Sequence, residues 1–335
     1  MRDRYAPFAH PRRLGAPLVF GIALILGACQ LGGGEYPGDQ PVTIVVPFAE
    51  GGPTDTVTRL IADPMAEALG GEIVVSNVEG AGGTVAAGQV ADAEPDGYTV
   101  LMHHIGMSTA PTLYPDLAYD PLEDFEMIGL VTEVPMTFVG SPEFEPNTME
   151  ELVTHVEENL DTVTYANAGV GAASHLCGLL FESATGLDIT EVPYDGTGPA
   201  MEDLLGNQVD FMCDQTTSTT DDIQAGAVKP YAVTTAERLE TLPDIPTTEE
   251  AGLGDIQVTV WHGLYVPADT PQEIVEALTA ALVAALEDES VATELTELGA
   301  PPVSEDRATP DAHRQLLEEQ IEFWRPIVED VVPPS

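Results

Sequence analysis

Short β-branched runs alternate with stretches of helical period along almost the whole chain, and this alternation restricts the fold more than any other feature. Val42-Thr43-Ile44-Val45-Val46 predicts a strand, and Val57, Leu60, Ile61, Met65 and Leu69 then recur at helical spacing behind a cap at Asp55. Further strands are predicted at 72–78, 98–102, 163–166, 189–192, 209–212 and 231–233. Helices are predicted between them, and two long helices, 271–287 and 310–332, close the chain. Repeated strand–helix units make mainly parallel sheets flanked by helices, so the fold class is α/β. About 300 residues follow the N-terminal leader, a size at which two domains are expected. Extended apolar segments near 131–140 and 261–268 are where two lobes would meet.

In such sheets ligands sit where loops leave the C-terminal ends of strands. Three of those loops, 47–55, 80–84 and 167–175, are rich in Gly and small hydroxyl residues. Glycine lets backbone approach a ligand, and a helix N-terminus offers unpaired N–H groups and a positive dipole end. Any one glycine loop alone reads as a tight turn, but three at equivalent topological positions point to an anion-binding cleft. The basic residues after the leader are Arg59, Lys229, Arg238, Arg307, Arg314 and Arg325, and none lies in those loops. An anion would therefore be held by backbone amides, hydroxyls and water. Arg59, one turn into the first helix, reads either as a ligand contact or as a structural ion pair. Asp214 and Gln215 end a strand on the cleft side as polar contacts.

Enzyme motifs are weak. Gly169-x-Gly171-x-x-Ser174 lacks the third Gly of a dinucleotide fingerprint, and there is no phosphate-loop Lys and no Gly-x-Ser-x-Gly elbow. Neighbouring His103 and His104 point to opposite faces of a strand, so they do not chelate, although His104 beside the cleft is a candidate ligand donor. His175 with Cys177 and Cys213 is one ligand short of a zinc site. No cofactor and no metal are expected.

The N-terminus sets location. Arg2, Arg4, Arg12 and Arg13 precede an apolar run from Leu14 to Leu26 that is too short for a membrane span, and the run ends at Leu26-Gly27-Ala28-Cys29. That order is a bacterial lipoprotein signal, residues 1–28, with Cys29 as the lipidation site and 29–38 as a glycine-containing tether. A plain signal peptide with a chance cysteine is the alternative. Cys177 and Cys213 then remain as an even pair in an oxidising compartment, either bridged or as two buried free thiols. The chain carries −47 overall, and without the leader 6 basic residues face 56 acidic ones, about −50. Acids scattered over every segment read as adaptation to high salt, with a cation-binding surface as the alternative. Nucleic acid is not an expected partner, because binding it takes basic residues.

Seven segments occur in an order that resembles one family: 44–55 (IVVPFAEGGPTD), 80–84 (GAGGT), 96–101 (DGYTVL), 119–125 (YDPLEDF), 192–194 (VPY), 204–210 (LLGNQVD) and 242–247 (LPDIPT). They look like the substrate-binding proteins of tripartite tricarboxylate transporters, the TctC or Bug family, across roughly residues 39 to 330. The resemblance implies a two-lobed periplasmic-binding-protein fold of type II-like form, acting as a monomer that closes on its ligand. Lobe 1 would be 39–135 plus 265–335, and lobe 2 would be 136–264. It implies capture of a small carboxylate and delivery to the membrane permease subunits of such a transporter. By motif match it implies ligand contacts at Phe48, Gly51, Gly52, Thr54, Asp55, Gly82, Gly83, Thr84, Gly171, Ser174, His175 and Asp214. Pro53 stands where Gly is common, and Ala172 where Ser or Thr is usual. These changes remove a backbone donor and a hydroxyl, and point from citrate toward a smaller or less charged acid, with His104 as a further donor. The competing readings are an exported α/β enzyme acting on small organic acids, and a ligand-sensing receptor without transport.

Overall fold

The computed structural model describes residues 36–331, with side chains to Glu329. The leader, Cys29 and most of the tether lie outside the described residues. In chain order the elements are β1 (Val42–Val46), α1 (Pro53–Leu69), β2 (Ile73–Asn77), α2 (Thr84–Ala91), β3 (Thr99–His104), α3 (Gly106–Leu113) and β4 (Phe125–Gly140). Then follow α4 (Met149–Glu158), β5 (Thr164–Asn167), α5 (Ala173–Thr185), β6 (Thr190–Pro193), α6 (Thr197–Leu205), β7 (Phe211–Gln215), α7 (Thr216–Ala225) and β8 (Lys229–Val233). The chain closes with β9 (Thr259–Pro267), α8 (Gln272–Glu287), α9 (Glu289–Glu297) and α10 (Pro310–Val331).

The strands form a curled sheet in the order β2-β1-β3-β9-β4-β7-β5-β6, with β8 also paired to β4. Pairing is parallel at both ends, where strand–helix units repeat: β1 with β2 and β3, and β5 with β6 and β7. Through the middle it is antiparallel, carried by the long strands β4 and β9. These two strands are the extended apolar segments expected near 131–140 and 261–268.

Alternation along β1 divides the core. Val42, Ile44 and Val46 face α1 and α8, meeting Val57, Ile61, Met65, Leu278 and Leu282. Val45 and Leu101 face the other way, in a cluster with Ala86, Val90, Leu317 and Trp324. Burying each large side chain contributes about 1.5–3 kcal/mol. A strand covered on both faces explains the unbroken β-branched run of β1. Helix α1 starts with Pro53 in its first turn and stops at Gly70, whose φ of 68° is left-handed. Helix α3 went unpredicted because its eight residues include Gly106 and Pro111 and its N-cap side chain makes no capping bond. What these layers achieve for the site is to aim several helix starts at one point.

Candidate functional site

Four helices begin around one recessed, nearly closed cavity of ≈ 10 Å³. Pro53 and Thr54 of α1, Ala173 and Ser174 of α5, Thr197 of α6 and Gln215 at the N-cap of α7 all line it. The first amides of a helix have no intrahelical carbonyl to pair with, and the summed dipole places partial positive charge there. No Arg or Lys is on the wall. The turns into three of these helices need glycine: Gly51 (φ 80°), Gly171 (φ 84°) and Gly196 (φ 156°) adopt backbone angles that L side chains avoid. Outside this cavity lies a groove of ≈ 660 Å³ walled by Gly80–Gly83, Tyr114, Val170 and Tyr194. Phe48 and Ala168 line both spaces, and with Ala172 they form a small apolar cluster between them.

A buried histidine cluster backs the cavity. The His104 amide donates to His103 Nδ1 at 2.8 Å, and the Gly106 amide donates to His104 Nδ1 at 2.9 Å. Both rings therefore carry their proton on Nε2 when neutral. His262 Nδ1 lies 3.2 Å from the Val260 carbonyl, which only accepts, so its Nε2 accepts from the Thr54 hydroxyl at 3.3 Å. Burial pushes His103 down to about 4 and His262 down to about 3, and holds His104 well below the usual imidazole range. All three are neutral near pH 7. His104 stacks on Phe48 (centroids 4.7 Å apart, 19° between planes) and brings an N–H donor to the cavity wall.

Asp214 is the acid on that wall, with 1% of its surface exposed. Its Oδ1 accepts from the Gln215 amide at 2.8 Å, while Oδ2 has no hydrogen-bond partner among the described residues. Burial pushes this carboxyl up to about 6, with the nearby Thr197 hydroxyl and the Gln215 amide easing the rise. Ser174 Oγ accepts from the Ala168 amide at 2.8 Å, which leaves its own proton free for the cavity.

The structure thus gathers Phe48, Thr54, His104, Ser174 and Asp214 on one cavity, with Gly82 and Gly83 on the adjoining groove. Other sequence-predicted positions do different work. Asp55 points at its own loop, accepting from the Gly51 amide (2.9 Å), Arg59 (2.8 Å) and Asn77 (3.0 Å). Burial alone would raise its carboxyl, but those donors more than offset it and hold it below the usual range. Arg59 is therefore a structural partner, reaching Glu50 and Asn77 as well. Gly52 caps α1. The Thr84 hydroxyl donates to the Ala81 carbonyl and lines a separate groove with Val85 and Gly88. The Gly171 amide donates to His175 Nδ1 at 3.3 Å, and His175 turns toward Glu191, 3.8 Å away, instead of the cavity. The sequence reading missed Thr197. Its signal is the same as elsewhere, a glycine (Gly196) between a strand and a helix start.

Cys177 and Cys213 are bridged, tying α5 to β7 directly behind Ser174 and Asp214. Among the described residues no group of three His, Cys, Asp or Glu side chains is placed to hold a metal ion.

The model of the tripartite tricarboxylate transporter family receptor matches residues 57–332. A UPF0065 protein in the TAR-I ttuE-ttuC' intergenic region of Agrobacterium vitis is 50% identical over 296 residues, covering 88% of this chain and 85% of the relative. The periplasmic binding protein BugD superposes with a TM-score of 0.85 at 47% identity, covering 87% of this chain and 97% of BugD. MatC from Rhodopseudomonas palustris, solved with bound malate, superposes with a TM-score of 0.85 at 43% identity, covering 87% of this chain and 99% of MatC.

Proposed function

The chain belongs to the tripartite tricarboxylate transporter receptor family, and from that premise we propose that it captures a small carboxylate outside the cytoplasmic membrane and hands it to a two-component permease. One observation carries the carboxylate: four helix N-termini meet at a cavity with no cationic side chain on its wall. An anion gains there from fixed dipoles and unpaired amides, with neutral donors from His104 and Ser174 completing its shell. The malate held by MatC supports the same class of ligand. Strand β4 pairs with β9 up to Pro135 and with β7 from Met136, which supports a boundary there between lobes 39–135 plus 265–335 and 136–264. Closure of those lobes would bury the ligand.

A thermal-shift screen of mono-, di- and tricarboxylates tests the reading. A ligand at a hundredfold excess over its Kd stabilises by about 2.7 kcal/mol, several degrees in Tm. At least one carboxylate should do so and be recovered unchanged. A panel with no shift, or turnover of the acid, would sink the receptor reading.

The anchor is proposed from Leu26-Gly27-Ala28-Cys29. Cys29→Ser should move the protein from the membrane to the soluble fraction of cells. If the variant still pellets with membranes, Cys29 is not the anchor.

A further inference from the structure

The cavity at the helix starts has room for about one water molecule, so a carboxylate cannot enter or leave it until the walls part. It shares Phe48 and Ala168 with the outer groove, so the way out runs between the loops that wall that groove. Gly80–Gly83 belong to the proposed lobe 39–135, and Ala168–Val170 to the proposed lobe 136–264. Tyr114 reaches from the first to the second: its hydroxyl donates to the Val170 carbonyl at 2.6 Å. Away from β4 and β9, no other side chain among the described residues hydrogen-bonds between those lobes.

The donor is held in place on its own lobe. Tyr114 ends α3, and its amide donates to the Ala110 carbonyl at 3.0 Å. Pro115 follows, which confines Tyr114 to extended backbone, and its φ of −118° and ψ of 97° lie there. The ring lies along the facing loop: a Cβ on Gly171 would stand 3.4 Å from Tyr114 Cε2 and 3.3 Å from Leu113 Cδ1. The acceptor is a backbone oxygen, so the other lobe supplies it whatever side chain residue 170 carries. Gly196 also meets Ala49 between the lobes, but by packing, which lacks the direction of a hydrogen bond.

Resting on the receptor reading above, we propose that Tyr114 is a latch whose hydroxyl holds the two loops together over a bound ligand and sets how fast the ligand leaves. Every release must break this bond. An arriving acid meets the parted loops, where the bond is not yet made, so capture does not depend on it.

Surface plasmon resonance with acetate, malate, adipate and citrate over immobilised protein gives both rates for each acid that binds. Tyr114→Phe removes one oxygen and keeps the ring. Its koff should rise about threefold to tenfold, the loss of one neutral hydrogen bond, while kon stays within about twofold. Tyr98→Phe is the control: its hydroxyl also donates to a backbone carbonyl, that of Pro37 at 2.8 Å, but not across the groove. It should leave both rates as they are. Unchanged koff in Tyr114→Phe, or an equal rise in Tyr98→Phe, overturns the latch and leaves the receptor reading standing. A matching rise in kon, with Kd unchanged, also overturns it, because the bond then bars entry as much as exit. Failure of all four acids to bind the wild type overturns both readings.

Discussion

Replacing Gly82 by Ala should weaken carboxylate binding by about 10- to 100-fold while the unliganded protein keeps most of its stability, the loss of one or two hydrogen bonds to a charged ligand. Gly82 has a φ of 59°, left-handed backbone that costs other residues about 1–2 kcal/mol. The larger effect is steric. A Cβ built on Gly82 falls 1.8 Å from the carbonyl oxygen of Val170, a backbone atom in the loop before α5. That oxygen also accepts from Tyr114 Oη at 2.6 Å, so it has little freedom to give way. The 80–84 and 167–172 loops must part, and the groove that both line widens. Water then screens the helix dipoles that the site relies on. Gly70→Ala is the matched control: its φ is 68°, nothing lies within 4 Å of the added Cβ, and it sits at the far end of α1. Melting curves should show the backbone cost in both variants and a further loss in Gly82→Ala, while calorimetry with whichever carboxylate stabilises the wild type should show weakened binding in Gly82→Ala alone. Equal affinities in the two variants would mean that contact between the loops does not matter for binding.

How much of this was legible follows from where each feature is encoded. Glycine loops between strands and helices are local, and Gly51, Gly82 and Gly171 do adopt left-handed angles at the cleft. Ser174 and Asp214 were legible because a strand end or a helix start fixes which way such residues face. Asp55 shows the limit. A carboxylate in the first turn of a helix beside a glycine loop reads as part of the cleft. Its direction depends on the Gly51 amide and on Asn77 and Arg59, which only the folded loop brings together. The histidine cluster was hidden more deeply. His262 reaches the site because antiparallel pairing sets it opposite His104, across more than half the described chain. No local period announces such a register. The same pairing holds Thr54 from behind, through a histidine that burial keeps neutral.

The acidic surface and the anion site work at different ranges. A net charge of −47 repels an incoming anion at a distance. That field decays over about 8 Å at physiological ionic strength and faster in strong salt. Helix dipoles act within the first turn, after the anion has entered. In strong salt the long-range penalty is screened while the short-range gain survives. Arg59, Arg238 and Arg307 are held in ion pairs with acids, and Lys229 and Arg314 reach backbone carbonyls.

Replacing Cys177 and Cys213 together by Ala should remove about 3–4 kcal/mol of stability and lower Tm on the order of 10 °C. The bridge spans 36 positions, and closing a loop of that length restricts the unfolded chain by about this amount. Both half-cystines are fully buried, so Ala leaves a small cavity rather than an unpaired polar group. The bridge ties the start of α5, with Ser174, to the end of β7, with Asp214, yet each side chain is also fixed by its own hydrogen bond. Affinity for whichever carboxylate stabilises the wild type, measured well below Tm, should therefore fall only a few-fold. The bridge also connects stability to location. Protein retained in a reducing cytoplasm should lack the bond and melt close to the double-Ala variant, whereas exported protein should not. Mass spectrometry of alkylated cysteines, read beside the melting curves, separates the cases. If the bridged protein and the double-Ala variant melt together, the bond does not hold the fold.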